Sequence, residues 1–244
     1  MGTAQIDSVL AKKLSTFIVL SPGELKCLAD MQSAPLKVKQ GKQLTQEGQT
    51  GHRAFVLQTG WASSYKDLPN GRRQIISFPI PGDCVGLRSV LLRTADHSAV
   101  TVTDAMVAEV PAQRMLTTFH LVPRLGAAIL WAASRDEAMV VEHLVGIGRR
   151  DALTRTAHFL VELGLRLSLI GLGSEKGYTC PLNQYVLADA LGLTAIHLNR
   201  TLRQLRERKL MTFRDGEVTF HDLRCLRMLA GHHGGYLDQG NAPT

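Results

Sequence analysis

The sequence predicts an α+β chain: an antiparallel β-sandwich or roll first, then a long helix, then a winged helix-turn-helix. Three observations carry this. Glycines and turn pairs punctuate short runs with β-branched or aromatic residues over 35–110. A helical pattern extends over 123–146. Beyond it, Ala188, Gly192 and Leu198 stand at the spacing that two helices meeting at a tight turn require.

Composition sets the bounds. The chain has 244 residues, 45% hydrophobic and 20% charged, which are values of a globular chain with one large domain or two modest ones. The most apolar uncharged run, 125–134, is about half of the ~20 residues needed to span a bilayer. Lys12 and Lys13 precede only a short apolar stretch with no small-residue cleavage site, so a secretory leader is not expected. Cys27, Cys84, Cys180 and Cys225 show no C-x-x-C spacing, which leaves a disulfide scaffold, a zinc ribbon and an iron–sulfur run unsupported. A soluble, cytoplasmic, reduced protein with no membrane partner is expected.

The elements follow in order. Ser21-Pro22-Gly23-Glu24 carries a capping serine, a proline at the first helical position and a glutamate placed for a capping box; a short helix to about Met31 follows. Strands are expected at 54–57, 61–65, 74–78, 99–103 and 106–110. Asn70-Gly71 is read as a type I′ hairpin turn, since both residues tolerate positive φ. On the long helix, Leu125, Ile129, Ala132, Met139 and His143 form one stripe, and Leu130, Ala133, Val140 and Leu144 a second. The second stripe needs a cover. A parallel coiled-coil homodimer and burial in one larger domain both supply it, and Asp136 and Glu137 interrupt the pattern. Trp131 packs a dimer or roofs a pocket. Residues 146–151, Gly-Ile-Gly-Arg-Arg-Asp, read as a hinge. A helix over 152–167 follows, with Gly164 on its apolar face where a neighbour can approach closely, and then a loop over 171–176.

The net charge of +7 is uneven. Residues 149–229 hold 13 Lys and Arg against 8 Asp and Glu, whereas the rest of the chain holds 15 against 13. Arg200, Arg203, Arg206, Arg208, Lys209 and Arg214 concentrate the excess. A solvated face explains an arbitrary charge run, but this one sits on the helix-turn-helix. There Ala188 is the small residue at the crossing, Gly192 the left-handed turn and Leu198 the plug, with Leu187, Leu191, Leu202 and Leu205 as the remaining core. Thr194 caps the second helix. Ala195, Ile196, Asn199, Arg200 and Arg203 are left to face outward. Arg200 suits bidentate contact with guanine O6 and N7, Asn199 suits adenine or phosphate, and Ile196 suits a thymine methyl. Arg203, Arg206 and Asn183 suit phosphates. Residues 210–220 read as a wing, whose tip at Arg214, together with Lys209, can reach a DNA backbone.

This order of elements resembles the Crp/Fnr family of bacterial transcription regulators over nearly the whole chain. Within that family, His197-Leu198-Asn199-Arg200-Thr201-Leu202 resembles a subgroup carrying His-Val-Asn-Arg-Thr-Leu. The resemblance implies a cyclic-nucleotide-binding-like jelly roll over 1–120, a dimerisation helix and hinge over 121–148, and a winged helix-turn-helix over 149–235. It implies double-stranded promoter DNA, RNA polymerase and a second copy of the chain as partners. Arg200 carries over as a base reader; Ile196 replaces the family's glutamate, so the half-site is expected to differ there.

The same resemblance places an effector pocket at Gly86, Leu87, His97, Ser98, Val140 and Val141. Leu87 stands where the nucleotide-binding members carry glutamate, His97 where they carry arginine, and Val140 and Val141 where they carry a hydroxyl pair. Cyclic AMP is therefore unsupported, because a buried phosphate needs a fixed positive charge or aligned donors. An iron–sulfur cluster and a metal are equally unsupported, and no catalytic residues are assigned. Oxidation of Cys180, just before the first helix of the motif, would add negative charge near DNA; an inert thiol is the plainer reading, and Cys84 is read as core. A ligand-sensing module acting on a protein partner, and a small β-barrel enzyme, are the alternatives. The enzyme lacks clustered ligands, since His52, His97 and His143 have no metal spacing.

Overall fold

The computed structural model describes residues 8–51 and 53–237. His52 lies outside the described residues. The chain divides into two compact units. Among the described residues, one comprises 8–66 and Ser77–Asp136; the other comprises Asp67–Ile76 and 137–237.

Eight short strands form the roll, all in the first unit except β5, most of which is grouped with the second: β1 (Pro35–Val38), β2 (Gln43–Thr45), β3 (Arg53–Thr59), β4 (Ala62–Asp67), β5 (Arg73–Ser77), β6 (Cys84–Val85), β7 (Ser98–Thr101) and β8 (Ala105–Pro111). They make two four-stranded sheets, β1-β8-β3-β6 and β2-β7-β4-β5. Successive side chains on β3 and β8 point to opposite faces. Phe55, Leu57, Ala105 and Val107 enter the core with Leu44, Ala62 and Ala99 of the other sheet. Ala54, Val56, Ala108 and Val110 point the other way, under a helical layer. This double burial explains why β3 reads as a nearly continuous apolar run.

The helical layer comprises α1 (Val9–Ser15), α2 (Pro22–Met31), α3 (Ala112–Leu121) and the first half of α4 (Pro123–Arg149). The capping box of α2 forms: Ser21 Oγ accepts from Glu24 N, and Glu24 Oε2 accepts from Ser21 N. Trp131 stacks on Phe17 at 4.9 Å and carries the Arg135 guanidinium over its ring. Asp136 interrupts the first apolar stripe between Ala132 and Met139, and there it meets Lys13, 3.5 Å away. The hairpin at Asn70-Gly71 departs from expectation, because only Gly71 has positive φ. Pro69 has φ fixed near the value required at the second position of a type I turn, so Asn70 takes the third and Gly71 the left-handed place after it. Gly71 N donates to Leu68 O, and Leu68 N to Arg72 O.

In the second unit, α5 (Ala152–Leu169) begins at Asp151, whose side chain accepts from Thr154 N. The expected hinge is shorter than the sequence suggests. α4 continues through Gly146 and Gly148, leaving only Arg150 and Asp151 between the two helices. Gly146 is buried beside Arg155, where a Cβ would lie 3.6 Å from Cγ. The expected loop over 171–176 contains β9 (Gly173–Ser174), which pairs with β10 (Gly177–Thr179). Then come α6 (Gln184–Leu191), α7 (Ala195–Glu207), β11 (Met211–Arg214), β12 (Glu217–Phe220) and α8 (Leu223–Ala230). The sheet order is β11-β12-β10-β9. Gly164 admits the rings of Tyr178 and Phe220 against α5: a Cβ there would lie 2.9 Å from Tyr178 Cε1. None of the helices of the described residues is long and apolar enough to cross a membrane.

Candidate nucleic-acid interface

Each half of the α6–α7 hairpin is set by a local device. Asn183 caps α6, its Oδ1 accepting from Tyr185 N and Val186 N. Its side chain is thus turned toward its own helix, although the residue stays exposed. Gly192 ends α6 in the left-handed region, φ 61° and ψ 36°, where a Cβ is disfavoured. Thr194 caps α7, its Oγ1 accepting from His197 N at 3.2 Å. Ala188 and Leu198 are buried at the crossing, with Leu187, Leu191 and Leu205 closing the core.

Burial of Leu198, Thr201, Leu202 and Leu205 fixes which face of α7 looks outward. Ile196, Asn199, Arg200 and Arg203 recur at helical spacing on that face, all exposed, and Ile196 is 84% exposed. Ala195 is half-buried at the first turn. Arg203 pairs weakly with Glu207 one turn on, at 3.6 Å. Arg200 has no ion-pair partner among the described residues. Arg206 and Lys209 are exposed beyond it, and Lys209 holds a left-handed backbone, φ 56°.

The wing turn is Asp215-Gly216, with φ of 52° and 79° at the two positions that a type I′ turn demands. It sets Arg214 opposite Glu217, exposed and 3.1 Å from Asp215. Cys180 precedes α6 but is fully buried, and burial pushes its thiol up to about 12. Burial pushes the Cys84 thiol up to about 12 as well. Oxidation proceeds through thiolate, so neither position is primed for it.

Of the six positions assigned to an effector pocket, Gly86, Leu87, His97 and Ser98 belong to the first unit, and Val140 and Val141 to the second. Gly86, in the left-handed region, precedes a single 3-10 turn, Leu87–Val90. His97 is half-buried with Nδ1 2.8 Å from Asp96 Oδ1, and Ser98 is buried with Oγ accepting from Glu47 N. Val140 is half-buried and Val141 exposed, both on α4. An exposed row on that helix, Ala127, Leu130, Ser134, Glu137, Val141, Leu144 and Gly148, alternates steps of three and four. Val141 thus belongs to this row, which differs from the expected second stripe because Ala133 and Val140 are half-buried. Among the described residues no group of three or more His, Cys, Asp or Glu could hold a metal ion.

Comparison with known proteins agrees with this arrangement. Residues 35–120 match the cyclic nucleotide-binding domain, and residues 154–229 the Crp-like helix-turn-helix domain. The chain is 30% identical to the nitrogen fixation regulation protein FixK of Rhizobium meliloti over 182 residues, covering 74% of this chain and 79% of that one. It is 32% identical to FixK of Bradyrhizobium diazoefficiens over 168 residues, covering 68% and 69%. The solved structure of FixK2 from Bradyrhizobium japonicum superposes with a TM-score of 0.72 at 24% identity, over 80% of this chain and 96% of that one, and so shares the fold.

Proposed function

The chain belongs to the Crp/Fnr family and is a transcription regulator of that type, and from this premise we propose that it works as a homodimer that reads a near-palindromic promoter site with α7. The observation that carries the reading is the outward face of α7: three cationic or amide side chains and an open isoleucine, held by a capped and glycine-turned hairpin. Arg200 reads guanine, Asn199 reads adenine or binds phosphate, and Ile196 meets a thymine methyl in place of the family's glutamate contact. Ala195 and Thr194 approach the same groove edge. Asn183, Arg203, Lys209 and Arg214 bind backbone phosphates and position the helix. The subgroup signature at residues 197–202 supports a half-site shared with members that carry the same residues.

The homodimer is supported by the exposed row on α4, which suits a parallel coiled-coil seam with Leu130, Val141 and Leu144 as its apolar members. RNA polymerase is the further partner and the cytoplasm the compartment. The domains follow the limits 1–120, 121–148 and 149–235. Gating by cyclic AMP is not part of the reading. Asp96 faces His97 where a cyclic phosphate would need an uncompensated cation, and Leu87 offers nothing to a ribose. A signal reaching the roll, if of another chemistry, acts through Gly86, His97 and Ser98.

Selection of bound sites from random duplex DNA tests this. The expected result is a two-fold symmetric pair of half-sites about one helical turn apart, bound by a dimer in sedimentation. Enrichment of a single unpaired site, or a monomer on the DNA, would contradict it.

A further inference from the structure

The α4–α5 turn and the end of α6 are joined by one side chain. Arg155, on the first turn of α5, donates from Nη1 to the carbonyl of Leu191 at 2.6 Å and from Nη2 to the carbonyl of Arg150 at 3.2 Å. Leu191 is the last residue of α6, and Arg150 is the first residue after α4. Both carbonyls lie at helix C-termini, where intrahelical donors run out and the backbone carries partial negative charge. The nearby Glu142 carboxylate is engaged by Arg150, and among the described residues no carboxylate pairs with Arg155. Its charge is met by the two helix ends, with the exposed Asp151 carboxylate near enough to feel it. Two glycines flank it: a Cβ at Gly146 of α4 would lie 3.6 Å from Arg155 Cγ, and one at Gly192 of the helix-turn-helix 3.6 Å from Nη1, both ordinary contact distances.

We propose that Arg155 is a positioning residue that ties the end of α4 to the turn of the helix-turn-helix. It sets where α7 stands relative to the dimer seam, and through that the half-site spacing the protein accepts. A planar guanidinium spans the two carbonyls with separate nitrogens, whereas an ammonium is a single point and holds one of them. Arg155 is half-buried, and its two terminal nitrogens are spent on these carbonyls, so it is not a phosphate contact. The inference rests on the DNA-reading role of α7 and on the homodimer proposed above.

The test uses the full chain and two variants, Arg155→Met and Arg155→Lys, at a temperature where denaturation curves show each fully folded. Affinity is measured for the selected site, for the same site with one base pair inserted between the half-sites, and for unrelated DNA, across a range of salt. Both variants are expected to lose specific affinity on the order of tenfold. Their penalty for the inserted base pair should shrink, while the affinity for unrelated DNA and the salt slope stay at wild-type values. A loss of thermal stability alone moves none of these ratios. Should Arg155→Met fold poorly, Arg155→Lys alone carries the comparison. An unchanged spacing penalty in the folded variants overturns the proposal, as does a salt slope lowered by about one phosphate, which would make Arg155 a backbone contact. Wild-type protein without a spacing preference overturns the dimeric DNA reading, and this inference with it.

Discussion

Lys13 Nζ donates to Asp83 Oδ1 across 2.7 Å, with both side chains almost closed to solvent. Burial works against the Lys13 ammonium, but the carboxylates of Asp136 and Asp83 outweigh it and hold its pKa above the usual lysine value. Asp83 also accepts from Ile80 N through Oδ2, so the pair fastens α1 to the turn before β6. Lys13→Met leaves a buried carboxylate without its cation and is expected to lower stability by about 3–5 kcal/mol. Lys13→Met with Asp83→Asn should recover part of that loss in urea denaturation. Equal loss in the single and double variants would show that the charge pair is not the cause.

Gly164→Ala is expected to destabilise by about 1–3 kcal/mol, since its Cβ would meet Tyr178 at 2.9 Å and Phe220 at 3.0 Å. Tyr178 is held in place by its hydroxyl, which donates to Leu160 O, and it cannot swing aside without leaving that carbonyl. Thermal unfolding reads the effect; a melting temperature at or above wild type would mean that the rings give way freely.

At Lys209 fold and function pull apart. Its left-handed backbone favours glycine, so Lys209→Gly should raise stability by about 0.5–1 kcal/mol. The same change removes a proposed phosphate contact, so DNA affinity should fall and the salt slope drop by about 0.9. Calorimetry with DNA titrations at several salt concentrations checks both signs; unchanged DNA affinity would remove Lys209 from the interface.

Acid should loosen the second unit. His158 Nδ1 faces Ala230 O at 3.1 Å, and Tyr236, which donates to Glu162, lies 3.2 Å from both His158 Nε2 and His232 Nε2. Burial lowers the His158 pKa. Burial, with the neighbouring His158 and Arg227, pushes His232 down to about 4. Both histidines fold in the neutral form, so their contribution is full above the unfolded histidine value of ~6.5 and is lost as pH falls toward 4. Urea midpoints at pH 7.5 and 5.0 are expected to drop for the wild type and to drop less for His232→Asn. Equal drops in both proteins would contradict this.

The winged helix-turn-helix is legible in the sequence because its determinants are local. Ala188, Gly192 and Leu198 lie within one motif, and Asp215-Gly216 announces its own turn type. The Asn70-Gly71 turn misleads because Pro69, one residue earlier, decides the register. α3 goes unread: its buried members among the ten residues are only Met115 and Thr118, too few to mark a stripe. The links that assemble the site are longer still. Arg155 meets Leu191 across 36 residues and Lys13 meets Asp83 across 70, and no periodicity announces either pair. On α4 the pattern shows that two faces are apolar, but only burial against the roll separates the covered face from the open one.

DNA reading through α7 is tested most directly by the affinity of Arg200→Ala for the selected site and for the same site with the contacted guanine replaced. Arg200 stands exposed on α7 with no ion pair to lose, so the substitution should leave stability unchanged. Binding to the selected site should weaken by about 1–3 kcal/mol, with little further loss on replacing the guanine. An Arg200→Ala protein that binds the selected site as tightly as wild type, and still discriminates against the replaced base, would contradict the claim that α7 reads DNA through Arg200.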